Sequence, residues 1–171
     1  MQSDDLAAVE QQLGRTPRGV HEVAHRCPCG APDVVETVPR LDDGTPFPTT
    51  YYLTCPRATG AISTLESSGL MREMQDRLAT DDDLRRRYLA AHEDYLARRA
   101  AVAAAAGLDV PEIDGISAGG MPHRVKCLHV LAGHALAAGR GVNPLGDEVL
   151  DALSALDPWW VAHPCAVPVD A

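Results

Sequence analysis

The chain has 171 residues, 24 acidic against 15 basic side chains, a net charge of -9 and 46% hydrophobic residues. That length and apolar content suit one folded domain with a real core, and the acidic balance argues against nonspecific nucleic-acid binding and against anionic membrane surfaces. Aromatic residues make up only 4%, with one Phe and two Trp, so the core has to be built from Ala, Leu and Val.

The opening MQSDDLAAVEQQ has neither a basic n-region nor an apolar h-region. No apolar run approaches the roughly 20 residues that would span a bilayer, so a cytoplasmic protein with no membrane partner is expected. In a reducing compartment, five cysteines are expected as ligands, reactive thiols or core residues rather than as a disulfide framework, and the odd count agrees.

In chain order, residues 1–18 predict a helix and a turn, with Ser3 as the cap, Leu6, Val9 and Leu13 on one face and Gly14 as the stop. Residues 19–56 predict a small antiparallel sheet. Val20 to Arg26 reads as a strand leading into Cys27-Pro28-Cys29-Gly30, Asp33 to Val38 as a second, and Thr49 to Thr54 as its partner across an irregular loop. Residues 57–156 predict the helical part. One helix runs from Arg57 to about Ser67, and Leu70, Met71, Met74 and Leu78 mark the next. A long helix follows, capped by a Thr80 and Asp83 box, with Leu84, Tyr88, Ala91 and Tyr95 inward and Arg85, Arg86, Arg98 and Arg99 on a solvated face. After Gly107 and a connector, a central helix is expected to begin near Met121, and Asn143 with Pro144 starts a last helix carrying Leu145, Val149, Leu153 and Leu156. Residues 157–171 form a tail with Trp159, Trp160 and Cys165. The fold class predicted is α+β, an α-rich single domain with a small antiparallel sheet.

The chemistry gathers around Gly115 to Gly139. Ser117, Gly119 and Gly120 form a flexible turn at the expected helix start, with Arg124 and Lys126 close by, a combination that suits a small anionic ligand. Neither a P-loop nor a dinucleotide fingerprint is present. Along the expected helix, His123, Cys127, Val130 and His134 share one face. Cys27, Cys55, Cys127 and Cys165 come from four distant segments, and thiolates gathered there would suit zinc or an iron–sulfur cluster. Cys29 is the spare ligand, and His134 substitutes if Cys165 stays outside.

Two other chemistries are weighed. His21-Glu22-Val23-Ala24-His25 matches H-E-x-x-H, but its flanks favour a strand, on which the two histidines would stand about 13 Å apart at roughly 3.3 Å per residue, too far to share one ion. Thiol redox chemistry at Cys27-Pro28-Cys29 ranks below the metal, since nothing in the sequence identifies a low-pKa thiol.

The runs RCPCG, FPTTYYLTCP, VKCLH and NPLG together resemble the uncharacterised bacterial family catalogued as domain of unknown function 501, over about Gly19 to Leu156. The resemblance implies a cytoplasmic bacterial protein without an assigned activity, and the thiols that match its pattern are Cys27, Cys55 and Cys127. Two functions are carried forward. One is a metal- or cluster-binding protein with a small anionic ligand. The other is a non-enzymatic adaptor whose structural metal holds a surface for a protein partner, with Trp159 and Trp160 as its candidate centre.

Overall fold

The computed structural model describes residues 3–156. Helix α1 (Ser3–Leu13) is followed by strands β1 (Val20–Arg26), β2 (Pro32–Thr37) and β3 (Tyr51–Leu53). Helices α2 (Pro56–Ser67), α3 (Leu70–Thr80), α4 (Asp82–Ala106), α5 (Leu128–Ala138) and α6 (Pro144–Leu156) complete the described chain. The strands form one antiparallel sheet in the order β1-β2-β3. The helix-rich α+β fold expected from the sequence is the one adopted.

Strand β2 is buried along nearly its whole length. Adjacent strand residues face opposite ways, so Val34 enters the main core while Val35 is covered on the other side, where α1 lies against the strand. The main core joins Ile62 of α2, Met74 of α3, Tyr88 and Tyr95 of α4, Leu128 and Leu131 of α5 and Leu145 and Leu153 of α6. Helix α5 sits centrally, against β3 on one side and α2 and α6 on the others. Two glycines allow its close contacts. A Cβ on Gly133 would stand 3.2 Å from the Tyr51 carbonyl, and one on Gly146 would collide with the carbonyl of Leu131. In NPLG, then, Asn143 caps α6 by accepting from the Gly146 N–H at 2.9 Å, Pro144 takes the first helical position and Gly146 permits the helix crossing.

Four local expectations are corrected. The cap of α4 is Asp81, whose carboxylate accepts from Leu84 N–H at 2.9 Å, whereas the Thr80 hydroxyl turns back to the Asp76 and Arg77 carbonyls. Arg99 is buried rather than solvated and donates to the carbonyls of Pro48, Ile113 and Ile116, so it fastens the connector after α4 to that helix. On α1, Asp5 and Val9 face inward and Leu6 is exposed, because Arg26 of β1 holds Asp5 through two bonds of 2.8 and 2.9 Å. The central helix begins at Leu128, seven residues later than the expected Met121. The stretch before it folds back on itself, with Arg124 N–H donating to Gly120 and Lys126 N–H to Gly119, both at 2.8 Å. His123 and Cys127 therefore lie off the helix face on which periodicity had placed them.

Candidate metal centre

Helix α2 presents Thr59, Ser63 and Glu66 at spacings of four and three, which put them on one face. Against that face lies the start of α5. Cys127 is its N-cap residue in extended conformation and His129 belongs to its first turn. The Glu66 carboxylate accepts from Leu128 N–H at 2.7 Å, so it satisfies one of the free donors at the helix start from another element. The same Glu66 Oε1 lies 3.2 Å from His129 Nδ1, and Cys127 Sγ lies 4.0 Å from that nitrogen. The other ring nitrogen, Nε2, is 3.1 Å from the Thr59 carbonyl.

A carbonyl only accepts, so Nε2 carries a hydrogen and donates it to Thr59. The Nδ1 lone pair of a neutral ring then points to where the thiol and the carboxylate meet. A ring nitrogen held by a backbone carbonyl so that the other can ligate is the usual support of a metal-binding histidine. All three ligand atoms lie within 4.8 Å of one another, and each residue is half-buried. With zinc–ligand bonds of about 2.3 Å to sulfur and 2.0–2.2 Å to nitrogen or oxygen, tetrahedral angles put sulfur about 3.6 Å from nitrogen and nitrogen about 3.4 Å from oxygen. The separations of 4.0 and 3.2 Å are within a few tenths of an ångström of those values. Without a metal the cluster holds a proton tightly. The Cys127 side chain hydrogen-bonded to His129, with the Thr59 carbonyl and the Glu66 charge adding to it, raises the imidazole pKa to about 9 against the opposing effect of burial.

The expected ligands fall in different places. Cys27, buried, and Cys29, exposed, occupy the turn between β1 and β2, and Cys55 is fully buried at the N-cap of α2. Among the described residues, the group close enough to share one ion contains Cys127 but neither Cys27 nor Cys55. Cys165, with Trp159 and Trp160, lies outside the described residues. His134 has both ring nitrogens occupied, Nε2 by Asp94 at 2.9 Å and Nδ1 by the Asn143 amide at 3.2 Å. Glu66 and His129, the two residues that the fold brings to Cys127, were not among the residues expected there. His129 carried a signal in the Cys127-x-His129 spacing of VKCLH, but Glu66, 61 residues before Cys127, carried none.

The turn read as an anion site is not a helix start. Its two glycines have positive φ, and a Cβ would meet Val130 at 3.1 Å on Gly119 and the Arg124 carbonyl at 2.7 Å on Gly120. Close packing against Val130 and the Arg124 backbone accounts for them. Ser117 is buried, donates to the Met121 carbonyl at 3.2 Å and pairs with His92 Nδ1 at 2.8 Å, while the Arg124 and Lys126 side chains are exposed. The H-E-x-x-H segment is strand β1, with His21 exposed and His25 Nδ1 bound to Asp33 at 2.8 Å, so the zinc-hydrolase arrangement is absent from it.

Fold and site together define a helix-rich α+β protein with a three-stranded antiparallel sheet and a thiol, imidazole and carboxylate gathered at one helix start. The chain belongs to the family described as protein of unknown function (DUF501), whose model matches residues 23–151. No curated protein and no solved structure matches it. Among the described residues, no helix is long and apolar enough to cross a membrane.

Proposed function

We propose that the protein binds one divalent transition-metal ion, zinc by its donor set, through Glu66, Cys127 and His129. The observation that carries this reading is the convergence of Cys127 Sγ and Glu66 Oε1 on His129 Nδ1 while Nε2 is held by the Thr59 carbonyl. Sulfur, nitrogen and oxygen from three residues make a mixed set that zinc accepts, whereas an iron–sulfur cluster is held by several thiolates and this group supplies one. Three protein ligands leave a fourth position for water or an anionic ligand, which is the pattern of catalytic rather than structural zinc sites. That favours the ligand-binding reading over an adaptor with a closed structural metal. When bound, the ion would supply Lewis acidity and a water that ionises near neutral pH.

The test is cobalt substitution in metal-free protein. One equivalent of Co(II) should produce thiolate-to-cobalt charge-transfer absorption together with tetrahedral d–d bands, both abolished in Cys127→Ser and kept in Cys27→Ser and Cys55→Ala. Charge transfer that survives Cys127→Ser would place the metal on other thiols and remove this assignment.

A further inference from the structure

The face of the sheet turned away from the main core is only partly roofed. Val35 and Thr37 of β2 look out on that side, and their cross-strand partners Tyr52 of β3 and Val20 of β1 share it. Helix α1 lies against part of this face and ends at Leu13, and the loop from Leu41 to Phe47 stands over another part. That loop is closed on itself. Leu41 N–H donates to the Thr45 carbonyl at 3.0 Å, Gly44 N–H to Leu41 at 2.8 Å and Phe47 N–H to Pro39 at 2.7 Å. Gly19 lets it come close, since a Cβ there would stand 2.6 Å from the Leu41 side chain. Between helix end and loop remains a cavity of about 280 Å³, lined by Val20, Val35 and Tyr52 of the sheet and by Leu13, Leu41 and Phe47. In a chain with 4% aromatic residues and one Phe, this cavity has two rings in its walls. Its polar side is cationic. Arg15 and Arg18, both exposed, also line it from the turn after α1. Asp43 neutralises Arg18 and accepts from Thr45 N–H at 3.0 Å as well. Arg15 has no such partner: its guanidinium meets the Thr16 carbonyl at 3.5 Å and forms no salt bridge among the described residues, while Glu10 accepts from the Thr16 hydroxyl at 2.6 Å.

We propose that this cavity, built on different elements from the metal centre, binds a small aromatic monocarboxylate. The ring packs on Phe47, Tyr52 and Val35, and the carboxylate takes the Arg15 guanidinium through charge-assisted hydrogen bonds. Concave apolar walls with a single convergent charge are the ordinary make-up of a small-molecule site. The volume lies just under the roughly 300–1,000 Å³ of such sites, which admits one ring with a short acid arm and excludes a nucleotide. In a protein of net charge -9, an anion is drawn to this place by the one rim cation that no carboxylate offsets. Because Arg15 is open to water, its pairing is screened by salt. The apolar cavity therefore supplies most of the affinity, and the guanidinium supplies the preference for an acid.

The experiment titrates phenylacetate into isotope-labelled, metal-free, full-length protein at low ionic strength and follows the backbone amide resonances. Saturable shifts are expected at Val20, Val35, Phe47 and Tyr52, with a Kd on the order of 1 mM or tighter. Phenylacetamide, which keeps the ring and loses the charge, should move the same amides with about fivefold weaker binding. Arg15→Gln should bring phenylacetate down to that affinity and leave phenylacetamide unchanged. Phe47→Leu, which keeps an apolar wall and removes a ring, should weaken phenylacetate but not hexanoate. Val20→Phe fills the cavity and should abolish binding of all three. An absence of saturable shifts overturns the site, and shifts confined to the start of α5 would give the acid to the metal centre instead. Hexanoate binding as tightly as phenylacetate would remove the aromatic class, and equal phenylacetate affinity in Arg15→Gln and wild type would remove the carboxylate. Ring contacts from Trp159 or Trp160 to Phe47 in the ligand-free protein would assign the cavity to the chain's own tail and overturn the proposal.

Discussion

His129 and His134 stand on the same helix, five residues apart, and do opposite things. His134 is fully buried, stacked on Tyr51 and set edge-on to Tyr95, with one ring nitrogen on Asp94 and the other on Asn143. Burial lowers its pKa, because removal from water penalises the cation more than the Asp94 partnership favours it. His129 is half-buried at the helix start, where a thiol and a carboxylate face one nitrogen and raise the pKa to about 9. The residue type is shared, so the difference belongs to the surroundings. A histidine saturated by fixed partners is part of the fold, while one whose nitrogen faces a thiol and a carboxylate suits a proton or a metal.

The largest effect expected from breaking this contrast is in the core. His134→Ala removes a packed ring, leaves the buried Asn143 amide nitrogen with the weak Met121 sulfur acceptor in place of the imidazole and should cost on the order of 3–4 kcal/mol by denaturant unfolding, with Co(II) spectra unchanged in the fraction that remains folded. Cys127→Ser should do the reverse. It should weaken zinc binding by about 100-fold or more in competition with a chromophoric chelator, yet shift the unfolding free energy of the metal-free protein by less than about 1 kcal/mol, since the side chain is half-exposed.

Proton linkage sharpens the comparison next. Zinc must displace the His129 proton, so the apparent affinity should rise about tenfold per pH unit below pH 9, on this group alone. In metal-free protein the two histidines have opposite signs. The folded pKa of His129 lies above the unfolded value of 6.5, so its contribution to stability is complete below 6.5 and is lost as pH rises towards 9. The folded pKa of His134 lies below 6.5, so its contribution is complete above 6.5 and is lost as pH falls. His25, raised by Asp33, shares the sign of His129, and His92, lowered by burial, shares that of His134. The pH profile of stability is therefore a sum of opposing contributions, and subtracting the profile of His129→Gln from that of wild type should isolate a loss between pH 6.5 and 9.

The smallest expected effect separates the two duties of Glu66. Glu66→Ala should cost about 1 kcal/mol through the lost Leu128 cap, whereas Glu66→Gln, which keeps an acceptor oxygen, should restore most of that stability without restoring metal affinity. Equal affinity in Glu66→Gln and wild type would show that Glu66 is a cap and not a ligand.

Much of the fold was legible from local pattern. The strand Val20 to Arg26, the inward stripe of Leu84, Tyr88, Ala91 and Tyr95 and the start of α6 at Asn143-Pro144 all follow from periodicity and capping, which act over a few residues. The same locality misled at Met121, where glycines and a proline resemble a helix start but serve a chain that folds back before the helix opens at Leu128. Sequence alone also selected Cys127 as a chemical residue, but not with Glu66 and His129, the described residues that lie beside it. Which carboxylate meets Cys127 and His129 depends on the packing of α2 against α5, and a cap supplied to Leu128 from 62 residues away leaves no mark in either segment. Residue types and short-range periods are written in the chain. The convergence of Glu66 with Cys127 and His129 exists only once the core has brought two helices together, because the free energy that holds those helices is the burial of Ile62, Leu128 and Leu131, which carry none of the chemistry.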